Sequence, residues 1–491
     1  MKTRYTDFLI IGSGFGAAAP ALRLSQEGHK VLMIEKGENI SGKQDFKQTQ
    51  DPKYIQRYIK GMSGRNINFT YAEGMGGGSG FYEMVSLRAP SMCFTQKDNS
   101  GRSLWPGNIN RSELDKYYDV AEEMLNVSQI PLEKVPKSGV VFSSLMKNLG
   151  YSCDRARYAV VRCMGSGFCL TGCIFGAKQS LHYNYIPKAK DHGLELLSHT
   201  DANEILPLSG VDGYKYLVRC THNKESLSIR TKVLILAAGT VGSAKLLLNS
   251  KKHLPDLSDQ AGKNICFNGS VKVAGLLPDD YLEADMFKGM SHPGMISYHF
   301  LKERGITISS AKPQPIYLTG TNQFNIKGEN KDSFWGEANV ELMKKIRSRM
   351  IVLYALGYSP QTAEIVLKPD GKFEAKLDIN EELKKYYEDT RDLMNNILER
   401  NDCKVLEIQS FNTKWKEQKG IKFSTAHMTG SCRMAERVED GVVDKDGKVF
   451  NYEDFYITGG SVVPSSLAVN TSLTILANAE RISESIIKTY S

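Results

Sequence analysis

Residues 7–24 read Asp7-Phe-Leu-Ile-Ile-Gly-Ser-Gly-Phe-Gly-Ala-Ala-Ala-Pro-Ala-Leu-Arg-Leu24, and this stretch decides the fold. Phe8–Ile11 is a short apolar run of the kind that forms a buried strand, and the alanine-rich segment after it predicts a helix. Between them, Gly12 permits a sharp turn and Gly14 lets the backbone approach a pyrophosphate. Ala17 allows the helix to pack closely on the strand. With Phe15 and Gly16 at the turn, the helix N–H groups face the phosphates. A second strand, Lys30-Val-Leu-Met-Ile34, ends at Glu35, with Lys36 beside it. The Glu35 carboxylate is placed to accept both hydrogen bonds of a ribose diol, at about the spacing a dinucleotide site requires. Taken together the signals predict an α/β protein with a Rossmann-like sheet. The pattern alone does not separate NAD from FAD.

Working outward, Gly74-Met-Gly-Gly-Gly-Ser-Gly-Phe-Tyr-Glu-Met84 is a second glycine cluster, too dense for the interior of a strand or helix. It reads as a surface loop or as a loop pressed against a flat ring system, with Gly78 and Ser79 as its contacts. Lys232-Val-Leu-Ile-Leu-Ala-Ala-Gly239 predicts a buried parallel strand, and the helix over Thr240–Leu248 completes a βα unit returning to the first sheet. Ala202, Ala238 and Gly239 are the expected lining on that side. The nucleotide domain is therefore discontinuous: 1–95, 195–270 and 425–491. Residues 96–194 are a connecting segment and 271–424 a substrate-binding domain of α+β type. Glu381–Arg400 predicts an amphipathic helix. Met286-Phe-Lys-Gly-Met-Ser-His-Pro-Gly-Met-Ile296 reads as core filler or as the mouth of an apolar substrate site.

A length of 491 residues implies two or three structural units. Hydrophobic residues at 41% and charged residues at 24% are ordinary for a globular protein. The formal charge of +8 contains no run of like charges, which argues against a nucleic-acid partner. The N-terminus shows no signal-peptide pattern, and no stretch approaches the ~20 apolar residues of a membrane helix. A cytoplasmic protein without an integral membrane segment is expected. Nine cysteines do not suit a disulfide framework.

The C-terminal third carries His427-Met-Thr-Gly-Ser-Cys-Arg-Met434, Gly441-Val-Val-Asp-Lys-Asp-Gly-Lys-Val449, Phe455-Tyr-Ile-Thr-Gly-Gly-Ser-Val-Val-Pro464 and Val469-Asn-Thr-Ser-Leu-Thr-Ile-Leu-Ala-Asn-Ala-Glu-Arg-Ile482. This ordered set resembles the glucose–methanol–choline (GMC) oxidoreductases, and the likeness extends to Gly76-Gly-Gly-Ser79 and Gly239–Leu248. The resemblance implies FAD as cofactor and an alcohol as substrate. Gly460 and Thr471 join the implied cofactor contacts. It assigns a catalytic pair to His427 and Asn470, which stand 43 residues apart. An imidazole near neutral pKa takes the hydroxyl proton as hydride leaves the carbon, and an amide holds the same oxygen in line. Two departures stand out. Gly459 occupies the place of an acid, and Tyr82 and Glu83 replace the Asn found after the first signature. No His is placed as a covalent flavin anchor, so noncovalent FAD is expected.

Cys163, Cys169 and Cys173 lie on a glycine-rich loop at Cys-x5-Cys-x3-Cys spacing. Thiolates so spaced suit an iron–sulfur cluster, as in the flavin subunits of membrane-linked gluconate and glucose dehydrogenases that the pattern resembles. The same loop resembles long-chain alcohol oxidases, where no cluster is implied. Buried free thiols or one disulfide are the alternatives, and the lack of a fourth ligand argues against zinc. Overall the expectation is oxidation of a small-molecule alcohol, with oxygen or a redox partner reoxidising the flavin. A hydroxynitrile-lyase-like activity on the same scaffold and a non-catalytic flavin protein are the alternatives.

Overall fold

The computed structural model describes residues 2–312, 324–326, 336–408 and 423–491, apart from single positions 99, 108 and 210. Part of the expected substrate-binding segment 271–424 therefore lies outside the described residues.

Strand Lys2–Ile11 is longer than the apolar run that announced it, because its first half pairs as well as its second. Lys2–Thr6 lies parallel to Leu227–Thr231, and Phe8–Ile11 lies parallel to Val233–Leu236. The sheet order is Glu195–Leu197, Val31–Ile34, Lys2–Ile11, Glu225–Leu236, Tyr216–His222, Thr200–Pro207. Phe455–Ile457 adds a further parallel strand against Leu234–Leu236. The centre is wholly apolar: Leu9, Ile10, Leu234 and Ile235 have no exposed surface. Each such side chain contributes roughly 1.5–3 kcal/mol by leaving water.

The turn after this first strand is set by steric necessity. Gly12 has φ 103°, and a Cβ there would sit 2.5 Å from the Ala237 carbonyl oxygen. Helix Phe15–Gln26 then carries Pro20 in its interior. Proline has no N–H to give the Gly16 carbonyl, and Thr458 Oγ1 donates to that oxygen instead, at 2.8 Å. The same meeting brings the chains so close that a Cβ on Gly16 would lie 2.4 Å from Gly459 Cα. Close packing thus falls at Gly16, one residue before the Ala17 of the sequence pattern.

A second sheet covers the first domain's open end. Its order is Phe324–Ile326, Lys404–Ile408, Val271–Leu276, Met350–Gly357, Ile306–Ser310, Met295–Ser297, Asp154–Arg155. The last strand comes from the segment expected to be only a connector. Helix Glu381–Glu399, one residue shorter than expected, packs on Val271–Leu276 with Leu383, Met394 and Ile397 buried. Met286 and Met290 are buried, which places that segment's methionines in the core and not at a substrate mouth. Among the described residues no helix is long and apolar enough to cross a membrane.

Candidate active site

A cavity of about 1220 Å³ runs from the glycine turn of the first sheet to the inner face of the second. Three helices point their N-termini at it: Phe15–Gln26, Gly239–Ser250 and Ser472–Tyr490. Their N-cap residues Gly14, Ala238 and Thr471 make no side-chain cap hydrogen bond, and none of the three has an acid in its first turn. Leading N–H groups and the positive ends of three dipoles therefore face one space. That arrangement suits a polyanionic nucleotide and disfavours an acidic side chain.

Most of the expected residues meet there. Gly12, Gly14, Phe15, Gly16, Glu35, Lys36, Gly78, Ala202, Ala238, Gly239, Gly460 and Thr471 line the cavity, as do His427 and Asn470. Ser79 does not. It is fully buried, and its Oγ donates to the Gly76 carbonyl at 2.7 Å and accepts the Leu181 N–H at 3.1 Å. It shapes the glycine loop from behind. Lys36 sits at the rim, with its ammonium 3.3 Å from Asp201 and 3.6 Å from Glu73.

Glu35 is held by three donors. Its Oε1 accepts the N–H groups of Gly37 at 2.9 Å and Gly74 at 3.2 Å, and its Oε2 accepts Ser13 Oγ at 2.6 Å. Burial pushes its carboxyl pKa up, and these hydrogen bonds oppose the shift. Ser13 Oγ also accepts the Gly76 N–H at 3.1 Å, so one hydroxyl joins both glycine clusters to the acid. Sequence reasoning passed over Ser13, because the glycine fingerprint leaves its position open.

At the other end, His427 Nε2 and Asn470 Nδ2 are 3.4 Å apart, and His427 Nδ1 is 3.3 Å from Tyr354 Oη. An amide N–H directed at Nε2 makes that nitrogen the acceptor and leaves the ring proton on Nδ1, toward Tyr354. Burial, reinforced by the Lys272 ammonium, pushes the imidazole pKa down to about 4. The ring is neutral at physiological pH because it is buried, not because its ordinary pKa is near neutral. The backbone around the pair is fixed. His427 N–H bonds Thr425 Oγ1 at 3.0 Å, which in turn donates to the Phe267 carbonyl at 3.0 Å. Before Asn470, the buried Asn268 side chain accepts the Leu467 and Ala468 N–H groups at 2.9 and 3.0 Å and donates to the Val469 carbonyl at 2.8 Å.

The second sheet contributes residues that sequence reasoning did not single out. Lys272 and Tyr354 are paired across neighbouring antiparallel strands, with the Lys272 ammonium 5.3 Å from the Tyr354 ring centre. Lys312, just past Ile306–Ser310, and Glu83, met in the sequence only as a departure from the family pattern, complete this wall. Both strands are buried along nearly their whole length, so a cavity-facing residue on them reads as core.

The cysteine loop gives a correction. Cys163, Cys169 and Cys173 are free, and among the described residues no group of three or more His, Cys, Asp or Glu is disposed to hold a metal ion. Cys163 Sγ accepts the Gly165 N–H at 3.3 Å, and burial raises its pKa, which favours the thiol over the ligating thiolate. Cys163 and Cys169 pack against the main core, and Lys178 Nζ donates to the Cys169 carbonyl at 2.6 Å. The iron–sulfur expectation for these three residues is not supported.

Residues 6–266 match the N-terminal part of the GMC oxidoreductase family, and residues 362–479 match its C-terminal part. Cholesterol oxidase of Acinetobacter baumannii is 25% identical, over 97% of this chain and 93% of its own. A long-chain-alcohol oxidase of Arabidopsis thaliana is 21% identical, over 98% of this chain and 67% of its own. In fold, pyridoxine 4-oxidase from Mesorbium loti superposes with TM-score 0.69 at 12% identity, covering 98% of this chain and 99% of that one. Formate oxidase from Aspergillus oryzae, a protein studied for modification of its FAD, gives TM-score 0.70 at 13% identity, covering 100% and 99%.

Proposed function

Because the chain belongs to the GMC oxidoreductase family, whose members are FAD flavoproteins, we propose that it oxidises an alcohol to an aldehyde or ketone at the His427–Asn470 pair. The observation that carries this reading is the convergence of Nε2 and Nδ2, 3.4 Å apart, in a cavity faced by three uncapped helix N-termini. The residues present fit FAD. Uncapped N–H groups at Phe15 and Gly16 suit the pyrophosphate, Glu35 suits the ribose diol, and Gly77, Gly78, Phe81 and Tyr82 suit a flat ring. Bound FAD supplies the acceptor for the hydride that leaves the alcohol carbon.

The chain itself does the rest. His427 Nε2 takes the hydroxyl proton, which makes hydride departure from carbon easier. Asn470 hydrogen-bonds the same oxygen and fixes the direction in which the C–H bond points. Tyr354 holds the Nδ1–H tautomer, and the covering sheet excludes water from the space. The cofactor is held noncovalently. The division into a nucleotide domain of 1–95, 195–270 and 425–491 and a substrate domain within 271–424 suits these roles. The oxidase names of the relatives support oxygen as the final acceptor.

The test is anaerobic titration of the purified holoprotein with a panel of primary and secondary alcohols. Bleaching of the visible flavin bands, with one carbonyl product per flavin, is the expected result. A flavin that stays oxidised against the whole panel overturns the proposal.

A further inference from the structure

The wall opposite the flavin-binding turn is charged, which is unexpected for a cavity whose relatives' names point to sterols and long-chain alcohols. Lys312 stands at the centre of this wall. It lines the cavity, is only 8% exposed, and its Nζ has no hydrogen-bond partner among the described residues. A buried ammonium without a partner costs several kcal/mol, and proteins keep one mainly where something binds it.

Among the described residues no neighbour hydrogen-bonds it. Asp285 is the acid whose charge acts most strongly on it, but no hydrogen bond joins the two, and Asp285 Oδ2 lies 3.5 Å from Lys288. Lys178 is spent on three carbonyls, those of Gly80, Tyr82 and Cys169, at 2.6, 3.2 and 2.6 Å. Glu83 is the acid on the wall, and it faces both Lys272 and Lys312. Lys272 and Lys312 thus stand on one wall with Glu83, and Asp285 lies behind Lys312. Burial lowers the pKa of Lys272 and brings Lys312 to about 8, so Lys312 keeps most of its charge at neutral pH. The charge is connected to the reacting atoms, since Lys272 lies over Tyr354 and Tyr354 Oη lies 3.3 Å from His427.

We propose that the alcohol taken by this site carries an anionic group, a carboxylate or a phosphate, bound by the Lys312 ammonium with Lys272 beside it. The proposal rests on the alcohol-oxidation reading of the same cavity. It leaves Glu83 to hydrogen-bond the substrate's hydroxyls.

The experiment uses the holoenzyme and three matched pairs: benzyl alcohol with 4-(hydroxymethyl)benzoate, 1-hexanol with 6-hydroxyhexanoate, and glycerol with glycerol 3-phosphate. Anaerobic flavin reduction gives kcat/KM for each member. The expected result is at least a tenfold preference for the anionic member of one or more pairs. The first two pairs report a carboxylate and the third a phosphate. That preference ratio falls at least tenfold in Lys312→Met and is restored in Lys312→Arg, with bound FAD and melting temperature checked in each variant. A preference for the neutral member in every pair, or a ratio unchanged in Lys312→Met, overturns the proposal.

If no alcohol of either kind reduces the flavin, the oxidation reading fails, and direct binding still decides the anion site. Benzoate and inorganic phosphate are then titrated into the holoprotein while the flavin spectrum is followed. Binding of either at least tenfold tighter in wild type than in Lys312→Met supports the anion site. Equal binding, or none, overturns it.

Discussion

The two walls of the cavity are built in opposite ways. One is made of backbone: Gly12, Gly14 and Gly16 at the turn, and helix N-termini at Gly14, Ala238 and Thr471. The other is made of side chains: Lys272 and Tyr354 on neighbouring strands, Lys312 just past Ile306–Ser310, and Glu83 on the loop after the glycine cluster. Backbone recognition demands residues without side chains at fixed spacings, so it leaves a mark in the sequence. Side-chain recognition on a buried strand demands only one suitable residue at one cavity-facing position, and it leaves almost none.

The largest expected effect comes from filling the backbone wall. Gly16→Val places a Cβ 2.4 Å from Gly459 Cα and 2.6 Å from Gly459 N, backbone atoms that cannot turn aside. A destabilisation of about 1–3 kcal/mol and loss of bound FAD on gel filtration are expected. Full flavin content would show that the two walls tolerate change equally. Next comes the pair between the walls. His427→Ala is expected to slow anaerobic flavin reduction by roughly 10²–10⁴-fold with FAD content unchanged, which stopped-flow absorbance measures.

Smaller effects sharpen the side-chain wall. Asn268→Ala removes the three hydrogen bonds that fix residues 467–469 ahead of Asn470. Buried groups left without partners cost about 1–3 kcal/mol each, so a lower melting temperature is expected together with a reduced kcat. Tyr354→Phe removes a single hydrogen bond to His427 Nδ1. Such a bond is worth about 0.5–1.5 kcal/mol, so a fall in kcat of up to roughly tenfold is expected. The pH profile is the mildest test. With the His427 pKa pushed down to about 4, the ring is unprotonated above that value and charged below it. Accordingly kcat/KM stays level from pH 7 to pH 5 and falls only toward pH 4. An acid limb near the ordinary histidine value would mean that the ring is solvated during turnover.

These differences explain what the sequence made legible. The strand–turn–helix of residues 8–26 and the βα unit of 225–250 were both readable, because an apolar strand followed by glycine has few alternatives. The Gly16–Gly459 contact was not, since Gly459 stood out only as a missing acid and its partner lies 443 residues away. His427 and Asn470, which meet in the cavity, drew notice through the family resemblance and not from their own neighbourhoods. Lys272 and Tyr354 were invisible because pairing across antiparallel strands joins residues far apart in the chain. The cysteine loop is the opposite case. Its spacing was legible, but spacing does not fix where side chains point, and three free thiols lie on a loop tied down by its backbone.

The central claim is that the alcohol is oxidised by loss of hydride from carbon between these two walls. Its most direct test is anaerobic stopped-flow reduction of the bound flavin by one alcohol in two forms, with hydrogen or deuterium on the carbinol carbon. The account predicts full bleaching by both, slower with deuterium, and a carbonyl product that has lost one carbinol hydrogen. Equal rates for the two forms, or a product formed while the flavin stays oxidised, would contradict it.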